Sequence, residues 1–123
     1  DLAEEAALLG DASEARRLIA EQETIASPLA SRDPADAVAH RQPMLVMWYG
    51  YRVERALAAH ASGEERVVIL KRALDYVDRN LAIVRERAER GWLHGNGLGY
   101  EAMALRVRAS LVDQIRRSEG DPG

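Results

Sequence analysis

Glu64–Arg90 reads EERVVILKRALDYVDRNLAIVRERAER, lies between Gly63 and Gly91, and is the longest uninterrupted helical pattern in the chain. Val67, Leu70, Leu74, Val77, Leu81, Val84 and Ala88 recur at alternating spacings of three and four. Ile69, Ala73, Tyr76, Asn80 and Ile83 form a second stripe beside them. At the angular step of an α-helix the two stripes together span an arc of about 200°. One partner cannot cover that arc, so the stretch predicts a helix with neighbours on two sides and an all-α fold.

The remaining composition agrees. The 123 residues suit one domain, phenylalanine is absent, and β-branched residues fall within helical patterns. With no cysteine there is no disulfide framework, thiolate metal site or cysteine nucleophile. No apolar run is long enough to span a bilayer, and DLAEEAALLG lacks the basic start of a signal peptide, so a soluble, cytoplasmic chain is expected. The chain starts at Asp1 without methionine, as a piece of a longer protein would.

The net charge of −3 conceals an asymmetry. Residues 1–40 hold three arginines and nine acids, whereas residues 41–117 hold fourteen basic residues and nine acids. Segments of opposite sign can attract one another. On the central helix the charges alternate, with Lys71/Asp75, Asp75/Arg79 and Glu86/Arg90 at i,i+4, the pattern of a solvated face. Nucleic-acid binding is therefore not the expectation.

Working outward, Gly10 stops residues 2–9, and Asp11 with Glu14 forms a capping-box signal for a helix from Ala12 to about Ala26. Its stripe of Ala12, Ala15, Leu18, Ile19 and Ile25 is thin and would pack peripherally. Should it leave the second face of the central helix bare, a second copy could cover that face as a homodimer. SPLASRDP, Ser27–Pro34, reads as a turn-rich connection. Asp33 and Pro34 start a short helix over 34–40, and Pro43 is expected to break it and open the next. From Met44 to about Ala61 the buried face is Val46, Tyr49, Gly50, Val53, Leu57 and Ala61, with Leu45 and Trp48 beside it. Ser62, with Glu65 at the capping-box position and Gly63 for the reversal, makes the next connection so short that the two helices must be antiparallel. Gly91 supplies the left-handed end of the central helix. A last helix from about Leu98 to Arg117 is expected to bury Leu98, Ala102, Leu105, Ala109 and Val112, with Ile115 near its end. The result is four main helices in antiparallel helical hairpins, a bundle or a short tetratricopeptide-like array. It forms a single domain over 1–117, with SEGDPG, 118–123, as a disordered tail.

Chemistry has few footholds. WLHGNGLGY, Trp92–Tyr100, places Gly95, Gly97 and Gly99 before a helix N-terminus, where free backbone N–H groups can receive an anion. The spacing matches no nucleotide loop, and the glycines equally serve a tight reversal in which Trp92 and Leu93 plug the bundle. His94, Tyr100 and Glu101 are its polar candidates. MLVMWYGYR, Met44–Arg52, concentrates two methionines and three of the six aromatic residues. Gly50 in mid-helix costs about 1 kcal/mol relative to alanine, a cost that close approach of another helix would offset. Trp48 with Tyr49 or Tyr51 reads first as core packing, and alternatively Tyr51 and Arg52 contact a ligand, while Arg52, Arg55 and Glu54 serve equally as surface charges. Asp33, Asp36 and His40 make half a zinc site with no second histidine at ligand spacing, so no metal or cofactor is expected. His60 suits a helix end, and no serine lies in a nucleophile motif.

VMWYGYRVERALAAH at Val46–His60, the turn at Ser62–Gly63, RALDYVDRNLAIVRERAERGW at Arg72–Trp92 and YEAMALRVRASL at Tyr100–Leu111 follow in order. This succession resembles the degenerate tetratricopeptide-like repeats of large ATP-dependent LuxR-type transcription activators and covers about two-thirds of the chain. The resemblance implies a bacterial regulator's superhelical sensor arm that binds an inducer or a partner protein. The expectation is thus a non-catalytic interaction or ligand-sensing module. The alternative is a small helical-bundle enzyme or ligand-binding protein with a pocket near Trp92, His94 and Tyr100, where Arg52 or Arg106 meets an acidic ligand.

Overall fold

In a computed structural model describing residues 2–32, 37–91 and 97–120, the elements are α1 (Leu2–Leu8), α2 (Ala12–Arg32), α3 (Ala37–Ala58), α4 (Gly63–Glu89) and α5 (Gly97–Gly120). The fold is all-α, with no strand among the described residues. Each helix packs against the next, and α1 also packs on α3. The core draws on all five, from Ala3 and Ala7 of α1 through Ile19, Val53, Leu57, Leu70 and Val77 to Leu111 and Ile115 of α5.

α1 has seven residues, too few to persist alone. Its fully buried Ala3 and Ala7 allow close packing, and its end is closed by Gly10 at φ 81°. Gly10 N–H donates to Ala7 O (3.0 Å) and Asp11 N–H to Ala6 O (2.9 Å), the two bonds of a Schellman motif. Asp11 Oδ1 then accepts from Glu14 N–H at 3.1 Å, which caps α2 as its sequence signal predicts. The Glu14 carboxylate turns to Arg17 (2.6 Å), whose hydrogen bond holds the Glu14 pKa below the usual carboxylate range.

α4 begins and ends within one residue of the sequence reading. Its buried residues are Ile69, Leu70, Ala73, Val77, Asn80, Leu81, Val84 and Arg87, and its two sides are taken by α3 and α5. α3 and α5 thus cover both sides of the wide stripe. Gly91 is left-handed (φ 72°) and donates to Ala88 O at 3.0 Å, as expected of a C-terminal glycine. Ser62 is extended at the N-cap, but its side chain makes no capping bond.

Four sequence expectations are corrected. α2 continues through 27–32 to Arg32, so most of SPLASRDP is helix, not a turn. α3 runs unbroken across Pro43. A proline there costs a helical bond, and the burial of Met44, Val46 and Met47 on the next turn offsets that loss. On α5 the buried residues are Ala104, Leu111 and Ile115, with Val107 packed beside them, whereas Ala102, Leu105 and Ala109 are exposed. Both stripes have helical spacing, and the one that carries Leu111 and Ile115 faces α4. α5 also extends to Gly120, where Glu119 pairs with Lys71 at 2.7 Å, so residues 118–120 are helical. Residues 121–123 lie outside the described residues.

The charge asymmetry is used inside the fold. Glu4 meets Arg52 (2.9 Å) and Glu23 meets Arg79, which tie acids of the first helices to bases of the later ones, while Arg16 and Glu54 (2.9 Å) pair in the opposite sense.

Candidate functional site

α3 and α5 flank α4 without packing against each other, which leaves a cleft floored by α4. Met44, Leu45 and Trp48 come from α3, Asn80 and Val84 from α4, and Tyr100 and Met103 from α5. Spacings of three or four residues put each set on one face of its helix. The cavity they enclose is about 180 Å³. Its described wall carries no carboxylate, imidazole or amine.

Trp48 lies 5.0 Å from Tyr51, ring centre to ring centre, with the planes at 41°. Tyr51 is itself buried, with its hydroxyl accepting from Arg55 (3.2 Å) and the guanidinium 5.4 Å above its ring. It thus supports the cavity wall from behind. Asn80 is the buried polar group in the wall, 6% exposed. Its Nδ2 donates to Met44 O at 2.7 Å, and since a carbonyl only accepts, the amide orientation is fixed. Among the described residues no donor reaches Asn80 Oδ1.

The structure brings two of the sequence candidates, Trp48 and Tyr100, into this cavity, with Tyr51 behind. Arg52 is engaged with Glu4 of α1, and Glu101 with Arg85 at 2.9 Å. Arg106 is exposed on α5 and does not line the cavity. Trp92 and His94 lie outside the described residues, as do Gly95 of the anion-loop reading and Asp33 and Asp36 of the zinc half-site. His60 closes the end of α1, its Nε2 2.9 Å from Leu8 O. Sequence reading missed Met44, Leu45, Asn80, Val84 and Met103 as pocket residues. One signal was present: Asn80 is a lone amide in the second apolar stripe of the central helix.

A second polar group contradicts its reading as a surface charge. Glu54 is 1% exposed and accepts from Arg16 Nε and an Arg16 terminal nitrogen, both at 2.9 Å, and from Arg72 Nε at 3.2 Å. These bonds join α2, α3 and α4, and the Glu54 bond raises the Arg16 pKa. Alongside, Tyr76 lies over Gly50, where an added Cβ would come within 2.4 Å of its ring. The close approach expected to compensate Gly50 is this contact. Burial first, then the charges of Glu23 and Glu54, raise the Tyr76 pKa against the opposing arginines Arg79 and Arg72.

Fold and site together define an all-α protein with an apolar pocket between three helices. The chain matches no protein-family model, no curated protein and no solved structure in the three comparisons made. Among the described residues no helix is long and apolar enough to cross a membrane.

Proposed function

We propose that the chain is a non-catalytic, ligand-sensing helical module whose ligand seats an apolar group between α3, α4 and α5. The observation that carries the reading is the cavity of about 180 Å³, walled by Met44, Trp48, Val84, Tyr100 and Met103 around one buried amide. Small-molecule sites combine an apolar concave surface with a few placed polar groups in this way. A cavity of roughly 150 Å³ is enough to hold a benzene ring. Among the described residues the wall's one ionisable group is the Tyr100 phenol, with no carboxylate or imidazole beside it, which favours binding over bond-making. On this reading α2 to α5 act as successive antiparallel hairpins, and the resemblance to tetratricopeptide-like sensor arms supplies the context, a bacterial regulator that responds to an inducer. Occupancy would hold α3 and α5 at a fixed separation across α4, a change that a partner protein could read.

Titration with toluene, followed by backbone amide NMR, tests the pocket. Saturable shifts are expected at Met44–Trp48, Asn80–Val84 and Tyr100–Met103, and they should be abolished by Val84→Trp, which fills the cavity. Shifts that never saturate, or that cluster on α1 and α2, would discard the proposal.

A further inference from the structure

We infer that the ligand is an uncharged molecule of about single-ring size bearing one O–H or N–H donor, which it gives to Asn80 Oδ1. This rests on the pocket reading above and names the chemistry that the pocket selects. Size follows from the cavity of about 180 Å³. Neutrality follows from its described wall, where Met44, Leu45, Trp48, Val84 and Met103 provide no counter-charge for an ion leaving water. The donor follows from Asn80. The residue is 6% exposed and its amide is held by the 2.7 Å bond from Nδ2 to Met44 O, so it cannot turn its oxygen toward another partner without losing that bond. A buried carbonyl oxygen without a donor is costly and rare in folded proteins. A ligand that supplies the donor removes that cost, and one that carries only acceptors does not.

The pocket therefore discriminates by hydrogen bonding, which rejects an analogue lacking the donor more strongly than shape alone rejects a missing methyl group. The Asn80 amide is also placed to report binding across helices: it belongs to α4, is anchored on the α3 backbone, and shares the cavity with Tyr100 and Met103 of α5.

The experiment compares toluene, p-cresol and 4-methylanisole on the full chain, in the wild type and in Asn80→Leu. Wild-type affinity for p-cresol relative to toluene is expected to fall roughly tenfold in Asn80→Leu, the worth of one hydrogen bond, while the 4-methylanisole to toluene ratio stays constant. An unchanged p-cresol ratio with toluene still bound would overturn the donor inference and leave the pocket standing. Failure of all three probes to bind the wild type would remove both. A readout independent of the variant's folding is the Asn80 side-chain amide resonance in the wild type. It should move on saturation with p-cresol beyond its position with toluene, and coincident positions for the two complexes would overturn the inference.

Discussion

Glu54 and Asn80 are both polar side chains buried among helices, 1% and 6% exposed, yet their surroundings differ in kind. Glu54 has both carboxylate oxygens engaged, by three bonds from two arginines. Asn80 has one bond to a backbone carbonyl, an oxygen that no donor among the described residues reaches, and a cavity beside it. The first arrangement locks α2, α3 and α4 together. The second is where the proposed ligand would sit, between α3, α4 and α5. Completed polar satisfaction makes a structural junction, and incomplete satisfaction beside open volume is what the ligand proposal rests on.

The sharpest way to break this contrast is to strip the lock. Arg16→Met with Arg72→Met strands the Glu54 carboxylate in the interior and is expected to cost about 3–5 kcal/mol in urea unfolding. Glu54→Gln should cost less, about 1–2 kcal/mol, because the half-exposed arginines can turn to water. Equal losses would show that burial of Glu54 is not what gives the junction its strength. Next in size is Gly50→Ala. Its added Cβ would meet the Tyr76 ring at 2.4 Å, so the gain in helix propensity of about 1 kcal/mol is outweighed. A net loss of about 1 kcal/mol is expected in the same assay, and pairing it with Tyr76→Ala should restore the ordinary benefit of alanine. At the receptive site, Asn80→Leu gives up one hydrogen bond but fills apolar space and relieves the amide oxygen, so it should shift stability by less than about 1 kcal/mol.

The same contrast explains what could be read from the residues in order. α4 was legible because its stripes repeat every three or four residues over 27 positions and are bounded by glycines. Its pairing with α3 was legible because Ser62 and Gly63 leave no room for another route. Proline and turn-forming residues misled at 27–32 and at Pro43, since local propensity is a weak prior where a long helix gains burial. The register of α5 was ambiguous because Leu105 and Leu111 each head an acceptable stripe. Glu54 sits in RVERA, which resembles any charged helix surface, and Arg16, its main partner, is 38 residues away. Asn80 was visible as an oddity in an apolar stripe. Its partner, however, is a backbone carbonyl, which side-chain patterns do not reveal.

The smallest expected effect concerns Tyr76, at the edge of the lock. Burial and the charges of Glu23 and Glu54 raise its pKa in the fold, so the folded chain holds this proton more tightly than the unfolded chain. The corresponding stability is fully present below the ordinary tyrosine value of about 10 and is lost as pH rises through the folded value. Tyr76→Phe removes that titration while keeping the ring on Gly50. Urea midpoints measured at pH 8 and again above pH 10 should therefore fall further in the wild type than in Tyr76→Phe. The two proteins should be close to equal at the lower pH, where the hydroxyl is neutral in both states. Parallel losses would mean that Tyr76 ionises as freely in the fold as in the unfolded chain. The lock would then extend no further than Glu54, Arg16 and Arg72, and the contact between Tyr76 and Gly50 would be one of shape alone.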